Sequence, residues 1–396
     1  MLSPETIETV KSTVPLLQEH GGAITKYFYQ TLFEQNPELK NVFNQVNQQR
    51  GEQPRALADA VLAYANNIDN LAVILPAVAR IANKHASLGI QPEQYPIVGA
   101  NLLAAIQKVL DLPLGHPALV AWGEAYGVLA DVFIDAEEFI YKTNEATAGG
   151  WRGFREFVIS DIVEETPEVK SFYLIPADGA AIPAYKAGQY VGLKANPEAS
   201  EFDEIRQYSL SGNGGEAHLR ITTKSETHGL VSNHLHQSDV GTTVFLQAPT
   251  GVFTLNTDAN KHLFIAGGVG ITPMISMLYE ALRQGVSPAD IMFVQCARNE
   301  QQQIFKEELQ RCHKNSSFAY KTVVDEGLEA DHQGYLNQEV LTAWLAENNM
   351  PISDDTHVYF CGPQGFMAAL NSHCKAIGFN EANIHYETFG PSATLS

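Results

Sequence analysis

Apolar residues recur at helical spacing through the first third of the chain. Around His85, residues Val78, Ile81, Ala82, Leu88 and Ile90 form an apolar stripe that puts the imidazole on the dry face of a helix. Gly89 ends that helix, and Pro92 supports the stop. At the front, Ser3 offers a hydroxyl cap, Pro4 a first-turn residue whose missing N–H costs nothing, and Glu5 an acid near the positive end of the dipole. Breaks are expected at Gly21-Gly22, Asn36-Pro37, Gly51, Pro76, Gly89 to Pro92 and Leu112 to Pro117. No period-2 alternation interrupts before about Tyr141, so residues 1–148 are expected to be an all-α domain of six to eight helices.

The pattern changes at Gly149-Gly150-Trp151. Short β-rich runs follow at Phe154 to Val163, Val169 to Ile175, Gln189 to Lys194, Arg206 to Ser211, His218 to Thr223 and Thr243 to Gln247. Turn residues separate them, which predicts a small antiparallel β-barrel over 149–256. Over 257–396, strands at His262 to Ala266, Ile291 to Gln295, Ala319 to Val324 and His357 to Cys361 alternate with helices at Pro273 to Gln284, Gln301 to Arg311 and Asn337 to Glu347. That alternation predicts a doubly wound α/β domain with a parallel sheet, and hence a multidomain chain.

A length of 396 residues agrees with two or three domains. The formal net charge of -20 repels nucleic acid and anionic membrane, so neither is expected as a partner. Cys296, Cys312, Cys361 and Cys374 contain no CxxC pair, which suggests reduced thiols in a cytoplasmic protein. No signal-like start and no long uninterrupted apolar run is present, so neither secretion nor a membrane span is expected. The sequence leaves oligomeric state open; a monomer is the working expectation.

Neutral imidazole serves both as a buried hydrogen-bonding group and as a metal ligand; a lone histidine on an apolar face is more often the former, and the His85 stretch alone does not decide for the latter. Tyr29 shares a helix with Tyr27, Phe28, Leu32 and Phe33; Phe43 follows in an irregular link; Gln53 and Leu57 lie one turn apart on the next helix. In that order, Tyr29, Phe43, Gln53, Leu57 and His85 resemble the haem pocket of the globin family. The resemblance implies haem b, with His85 as proximal iron ligand, Phe43 packed on the porphyrin, Tyr29 and Gln53 as distal polar groups, and Leu57 restricting the pocket. Tyr95 and Glu137 match positions that in bacterial flavohaemoglobins form a hydrogen-bonded group with the proximal His, and Lys84 is assigned to cofactor binding by the same resemblance. A carboxylate accepting the second imidazole N–H pushes electron density towards iron, which favours turning dioxygen over rather than storing it.

In the barrel, Arg206-Gln207-Tyr208-Ser209-Leu210-Ser211 resembles the flavin signature of ferredoxin-reductase-like domains. Tyr208 would stack on the isoalloxazine, Arg206 pair with the FAD diphosphate, and Ser209 hydrogen-bond the flavin, with Gln207 beside them; a fork-shaped guanidinium and an aromatic face suit those tasks. Tyr190, in Ala187-Gly188-Gln189-Tyr190, falls near the flavin mononucleotide half, and Ser232, in His228-Gly229-Leu230-Val231-Ser232-Asn233, opens a short helix near the diphosphate. Further on, Gly267-Gly268-Val269-Gly270-Ile271-Thr272-Pro273 matches the nicotinamide-nucleotide loop of the same reductases, although Pro273 replaces the third glycine of GxGxxG. Cys361-Gly362-Pro363 matches their nicotinamide-side loop. Tyr386-Glu387-Thr388-Phe389-Gly390-Pro391 resembles the segment whose aromatic covers the flavin, with Glu387 beside it.

The whole chain therefore resembles bacterial flavohaemoglobins from Leu2 to Pro391. That resemblance implies a nitric oxide dioxygenase, converting NO and O2 to nitrate at a haem re-reduced by NAD(P)H through FAD. Two other readings stay in view: a reductase acting on alkyl hydroperoxides, and a non-enzymatic gas sensor. Ala297-Arg298-Asn299-Glu300 offers both an arginine and an acid where a ribose would lie, which leaves NADH and NADPH equally open.

Overall fold

A computed structural model describes residues 2–44, 48, 51–327 and 329–390; Pro391 of the expected C-terminal segment lies outside them. Six α-helices open the described chain: α1 (Pro4–Ser12), α2 (Val14–Gln35), α3 (Glu52–Asn66), α4 (Leu75–Leu88), α5 (Gln94–Val109) and α6 (Pro117–Ala146). Ser3 caps α1 by accepting the Thr6 N–H at 3.0 Å. Gly21-Gly22 does not break the chain as expected. Helix α2 runs through both glycines because Leu17, Ile24, Phe28, Tyr29 and Leu32 bury one face, and that burial outweighs the roughly 1 kcal/mol penalty per helical glycine. The break comes earlier, ahead of Pro15, whose nitrogen has no proton with which to continue α1.

Helix α6 is, among the described residues, the one helix long and apolar enough to cross a membrane by length and composition. Here it lies on the other helices: Ala121, Trp122 and Ala125 join the core of α2, α3 and α5, while Ala130 and Phe133 pack with Val78 and Ala82 of α4.

Six antiparallel strands follow: β1 (Arg155–Thr166), β2 (Val169–Pro176), β3 (Tyr190–Ala195), β4 (Glu204–Ser209), β5 (Leu219–Lys224) and β6 (Thr243–Leu246), with α7 (Leu230–Gln237) between the last two. Their order is β4-β3-β6-β1-β2-β5. A bridge between Leu210 and Ile221 joins the two outer strands, closing the sheet around Phe157, Phe172, Leu193 and Leu246. Closure leaves no bare sheet edge.

The remainder is a parallel sheet in the order β10-β9-β8-β7-β11-β12, built from β7 (Lys261–Gly267), β8 (Ile291–Ala297), β9 (Ala319–Val324), β10 (His332–Gln333), β11 (Thr356–Cys361) and β12 (Ile384–Glu387). Helices α8 (Ile271–Arg283), α9 (Lys306–Ser316), α10 (Gln338–Glu347) and α11 (Gln364–Ala376) cover its two faces. The helix expected from Gln301 begins only at Lys306, because Phe305 adopts φ 58° and cannot continue a right-handed turn. Strands β10 and β12 and helix α11 were not anticipated.

Candidate functional site

The last turn of α4, the start of α5 and the middle of α6 meet at one point. Nδ1 of His85 lies 2.7 Å from Oε1 of Glu137 and 3.1 Å from the Tyr95 hydroxyl, which donates to the same carboxylate oxygen at 2.6 Å. Glu137 is only 2% exposed, so this is a buried carboxylate rather than part of a solvated acidic run. Burial and the charge of Glu137 push the Tyr95 hydroxyl far above its ordinary pKa, fixing it as a donor. Tyr126 buttresses the group by donating to the Tyr95 carbonyl at 2.7 Å, and Tyr141 donates to the Ile90 carbonyl at 2.8 Å. Only glycine serves at position 99, since an added Cβ would lie 2.4 Å from the Tyr126 ring. With Nδ1 engaged by these partners, Nε2 is the nitrogen with which His85 could reach a metal.

Across the helical domain, Tyr29 is buried among aromatic rings. Its ring lies 5.9 Å from Phe43 edge-on and 5.9 Å from Phe33 stacked. Burial pushes its hydroxyl up to about 12, while hydrogen bonds with the Gln48 and Gln53 side chains pull the other way. Leu57, one turn beyond Gln53, packs against the same core. The sequence reading missed Gln48; it stands in a polar run, where nothing in the spacing distinguishes it.

The proximal helix also touches the barrel. Ser87 accepts from the Gln207 side chain at 3.1 Å, and Asn83 accepts from the Gly251 N–H at 2.8 Å and from the Thr250 hydroxyl. Gly192, opposite Gln207 in the β3–β4 register, admits this approach: an added Cβ would lie 1.7 Å from the Ser87 carbonyl oxygen. Lys84 reaches the Gly390 carbonyl at 3.3 Å. Burial lowers the Lys84 ammonium and raises the Glu387 carboxyl to about 8, and each charge partly restores the other. Asn83 and Ser87 escaped the sequence reading because polar residues one turn apart, facing away from His85, look like a solvated face.

On β4, Arg206 and Glu204 approach to 2.9 Å without hydrogen-bond alignment, so the buried Nη2 of Arg206 keeps donor capacity among the described residues. Tyr208 and Tyr190 have hydroxyls raised well above their usual range by burial. Ser209, opposite Tyr190, and Ser232, in the first turn of α7, are buried.

At the carboxyl end of β7, Gly268 has φ 53° and open space where a Cβ would be, and Gly270 lies against the Cys361 carbonyl. Val269, Ile271, Thr272 and Pro273 lead from this loop into α8, with Thr272 donating to the Val269 carbonyl at 3.0 Å. Cys361, Gly362 and Pro363 end the neighbouring β11; burial raises the Cys361 thiol, which donates to the Glu387 carbonyl at 3.2 Å. Phe389 is half exposed at the end of the described chain.

Three family models match this layout in order: globin over residues 26–133, oxidoreductase FAD-binding domain over 157–255, and oxidoreductase NAD-binding domain over 264–372. The flavohemoprotein of Bacillus cereus is 43% identical, with 100% of both chains covered. The chain belongs to the flavohemoprotein family. The flavohemoglobin of Malassezia yamatoensis, solved with bound FAD and haem, superposes with a TM-score of 0.87 at 27% identity, covering 98% of this chain and 100% of that one. The FAD/NAD-binding domain of a nitric oxide dioxygenase from Vibrio cholerae matches with a TM-score of 0.55 at 35% identity, over 61% of this chain and 100% of that one. Family membership makes this chain a haem and flavin oxidoreductase supplied with electrons by a nicotinamide nucleotide, with O2 among its small-molecule partners.

The local features fit these groups. A histidine with Nδ1 saturated and Nε2 left over suits a single bond to iron. A buried guanidinium with an unused donor suits a diphosphate. A left-handed glycine at a strand-to-helix turn suits the close approach of a second diphosphate.

Proposed function

We propose that this flavohemoprotein is a nitric oxide dioxygenase using haem b, FAD and NADH or NADPH, cytoplasmic and monomeric, with domain limits at 1–148, 149–256 and 257–396. The observation that supports it most is the pairing of a proximal His85–Tyr95–Glu137 group with a distal Tyr29–Gln53 hydrogen-bonding pair. Haem supplies the iron at which dioxygen and NO meet, and FAD divides a hydride's two electrons into single ones.

The chain's own residues do the rest. His85 holds the iron, and Glu137 keeps its Nδ1 proton engaged so that the imidazole is strongly donating. Tyr95 fixes the carboxylate. Tyr29 donates a hydrogen bond to the dioxygen, Gln53 orients that hydroxyl, and Leu57 and Phe43 keep the pocket narrow and dry. Arg206 and Ser232 would hold the FAD diphosphate side, Tyr208 and Tyr190 would line the ring, and Gln207 and Ser209 would supply polar contacts to it. Residues 268–273 would hold the nucleotide diphosphate; Cys361, Gly362 and Pro363 would flank the nicotinamide; Phe389 would cover the flavin. Lys84 and Glu387 tie the C-terminal segment to the proximal helix.

The balanced reaction consumes one NAD(P)H for two NO and two O2, yielding two nitrates. Measuring the three together tests it: a ratio of two nitrates per nucleotide oxidised is expected. A strong donor opposite the pocket also suits O–O cleavage, so faster nucleotide consumption with alkyl hydroperoxide than with NO, and no nitrate, would favour the peroxide reading. Binding of O2 without nucleotide consumption in the presence of NO would favour a gas sensor.

A further inference from the structure

Away from the cofactor sites, two charged residues of the barrel grip the start of α9. Phe305 is 2% exposed and sits at φ 58°, a backbone conformation that side-chain-bearing residues rarely adopt. The Glu165 carboxylate of β1 lies beside its backbone, and the carbonyl of the preceding Ile304 accepts from the Gln295 side chain at 2.7 Å. Over its ring, at 4.6 Å, lies the guanidinium of Arg220 from β5. Arg220 Nη1 also donates to both carboxylate oxygens of Glu308, at 3.1 and 2.9 Å, and that carboxylate accepts from the Tyr279 hydroxyl of α8. Ile304, Phe305 and Glu308 are thus each met by a side chain from another element.

The other end of this clamp reaches the flavin strand. Nε of Arg220 donates at 3.2 Å to the carbonyl of Ser211, the last residue of the Arg206–Ser211 signature. The Ser211 hydroxyl meets Thr222 at 2.8 Å; Thr222 meets Ser171 at 2.9 Å; and Ser171 donates to Glu165 at 2.6 Å. One polar network therefore joins the flavin signature to α9, which follows the strand β8 in the nucleotide domain, and to α8, which follows the glycine loop. A strained residue kept in place by surrounding contacts marks a position whose geometry is used.

We propose that Arg220 and Glu165 are positioning residues for hydride delivery: through Phe305 and Glu308 they fix the nucleotide sheet against the flavin strand, so that nicotinamide and flavin meet in register. This rests on the FAD- and NAD-binding character of the family and not on the haem reaction. Hydride transfer is sensitive to small misplacement, whereas the residues assigned to the nucleotide, 268–273 and 361–363, are not among those that Arg220 and Glu308 bond.

The test uses the full-length holoprotein and two variants, Glu308→Gln and Arg220→Lys. Anaerobic rapid mixing with NADH gives the limiting rate of flavin bleaching per bound FAD, and hydrogen exchange in the absence of nucleotide reports the segment 303–309. For Glu308→Gln the limiting rate should fall on the order of tenfold or more, with half-saturating NADH changed less than about twofold and exchange in 303–309 accelerated. Arg220→Lys, which keeps the charge but cannot serve Glu308, Ser211 and the ring together, should fall between. The oxygen spectrum of the dithionite-reduced haem should not change. An unaltered limiting rate per bound FAD, or a loss explained entirely by FAD content, overturns the proposal; should Glu308→Gln fail to fold, the same readouts on Arg220→Lys decide.

Discussion

The carboxylate of Glu137 lies 2.7 Å from Nδ1 of His85, although the two residues stand on helices packed from distant parts of the chain. A buried carboxylate beside an imidazole N–H strengthens the ring as an electron donor. Glu137→Gln keeps the shape but removes the charge. Turnover should fall roughly 10- to 100-fold, and the iron–histidine stretching frequency of the ferrous protein should drop. An unchanged frequency would mean that Glu137 only packs.

Tyr29→Phe removes one hydrogen-bond donor of about 1–1.5 kcal/mol, so O2 should dissociate roughly tenfold faster. Because the Tyr29 hydroxyl is pushed up to about 12 by burial, the wild-type off-rate should be flat between about pH 6 and 10. Flash photolysis across that range checks both statements.

Arg206→Ala should weaken FAD by about 1.5–3 kcal/mol, the range for hydrogen bonds to a charged group, or roughly ten- to a hundredfold in dissociation constant. Fluorescence of released flavin on dilution measures it, and the haem spectrum should stay as it was.

Acid should destabilise the nucleotide domain. His262 and His385 are both held to about 4, chiefly by burial, with the nearby charge of His357 adding in each case. His357 and His385 stack in parallel with their rings 5.1 Å apart and share a hydrogen bond at 2.8 Å. Unfolding restores ordinary imidazoles near 6.5, so between about pH 6.5 and 4 the unfolded chain binds more protons and stability falls as pH falls. Urea midpoints at pH 7 and pH 4.5 should differ, and His385→Gln should narrow the gap.

Much of this architecture was legible in the sequence because the relevant signals are local. The β-rich runs of β1 to β6, the Gly89 stop after His85 and the Ser3 cap each depend on neighbouring residues, and each appears close to where the pattern put it. What was not legible depends on distance. Gly21-Gly22 looks like a break until the buried face of α2 is counted, and Gln301 to Phe305 looks helical until Arg220 is seen over the Phe305 ring and Gln295 on the Ile304 carbonyl. Likewise Asn83 and Ser87 look solvated until the glycine at 192 brings β3 against α4.

The most direct test of the central claim is a single turnover. Protein reduced with NADH and equilibrated with O2 is mixed rapidly with one equivalent of NO, and the products are counted. The account predicts one nitrate per NO, with ferric haem appearing at the same rate and then being reduced again by the remaining NADH. Disappearance of NO without nitrate, or nitrate formation undiminished after His85→Ala, would contradict it.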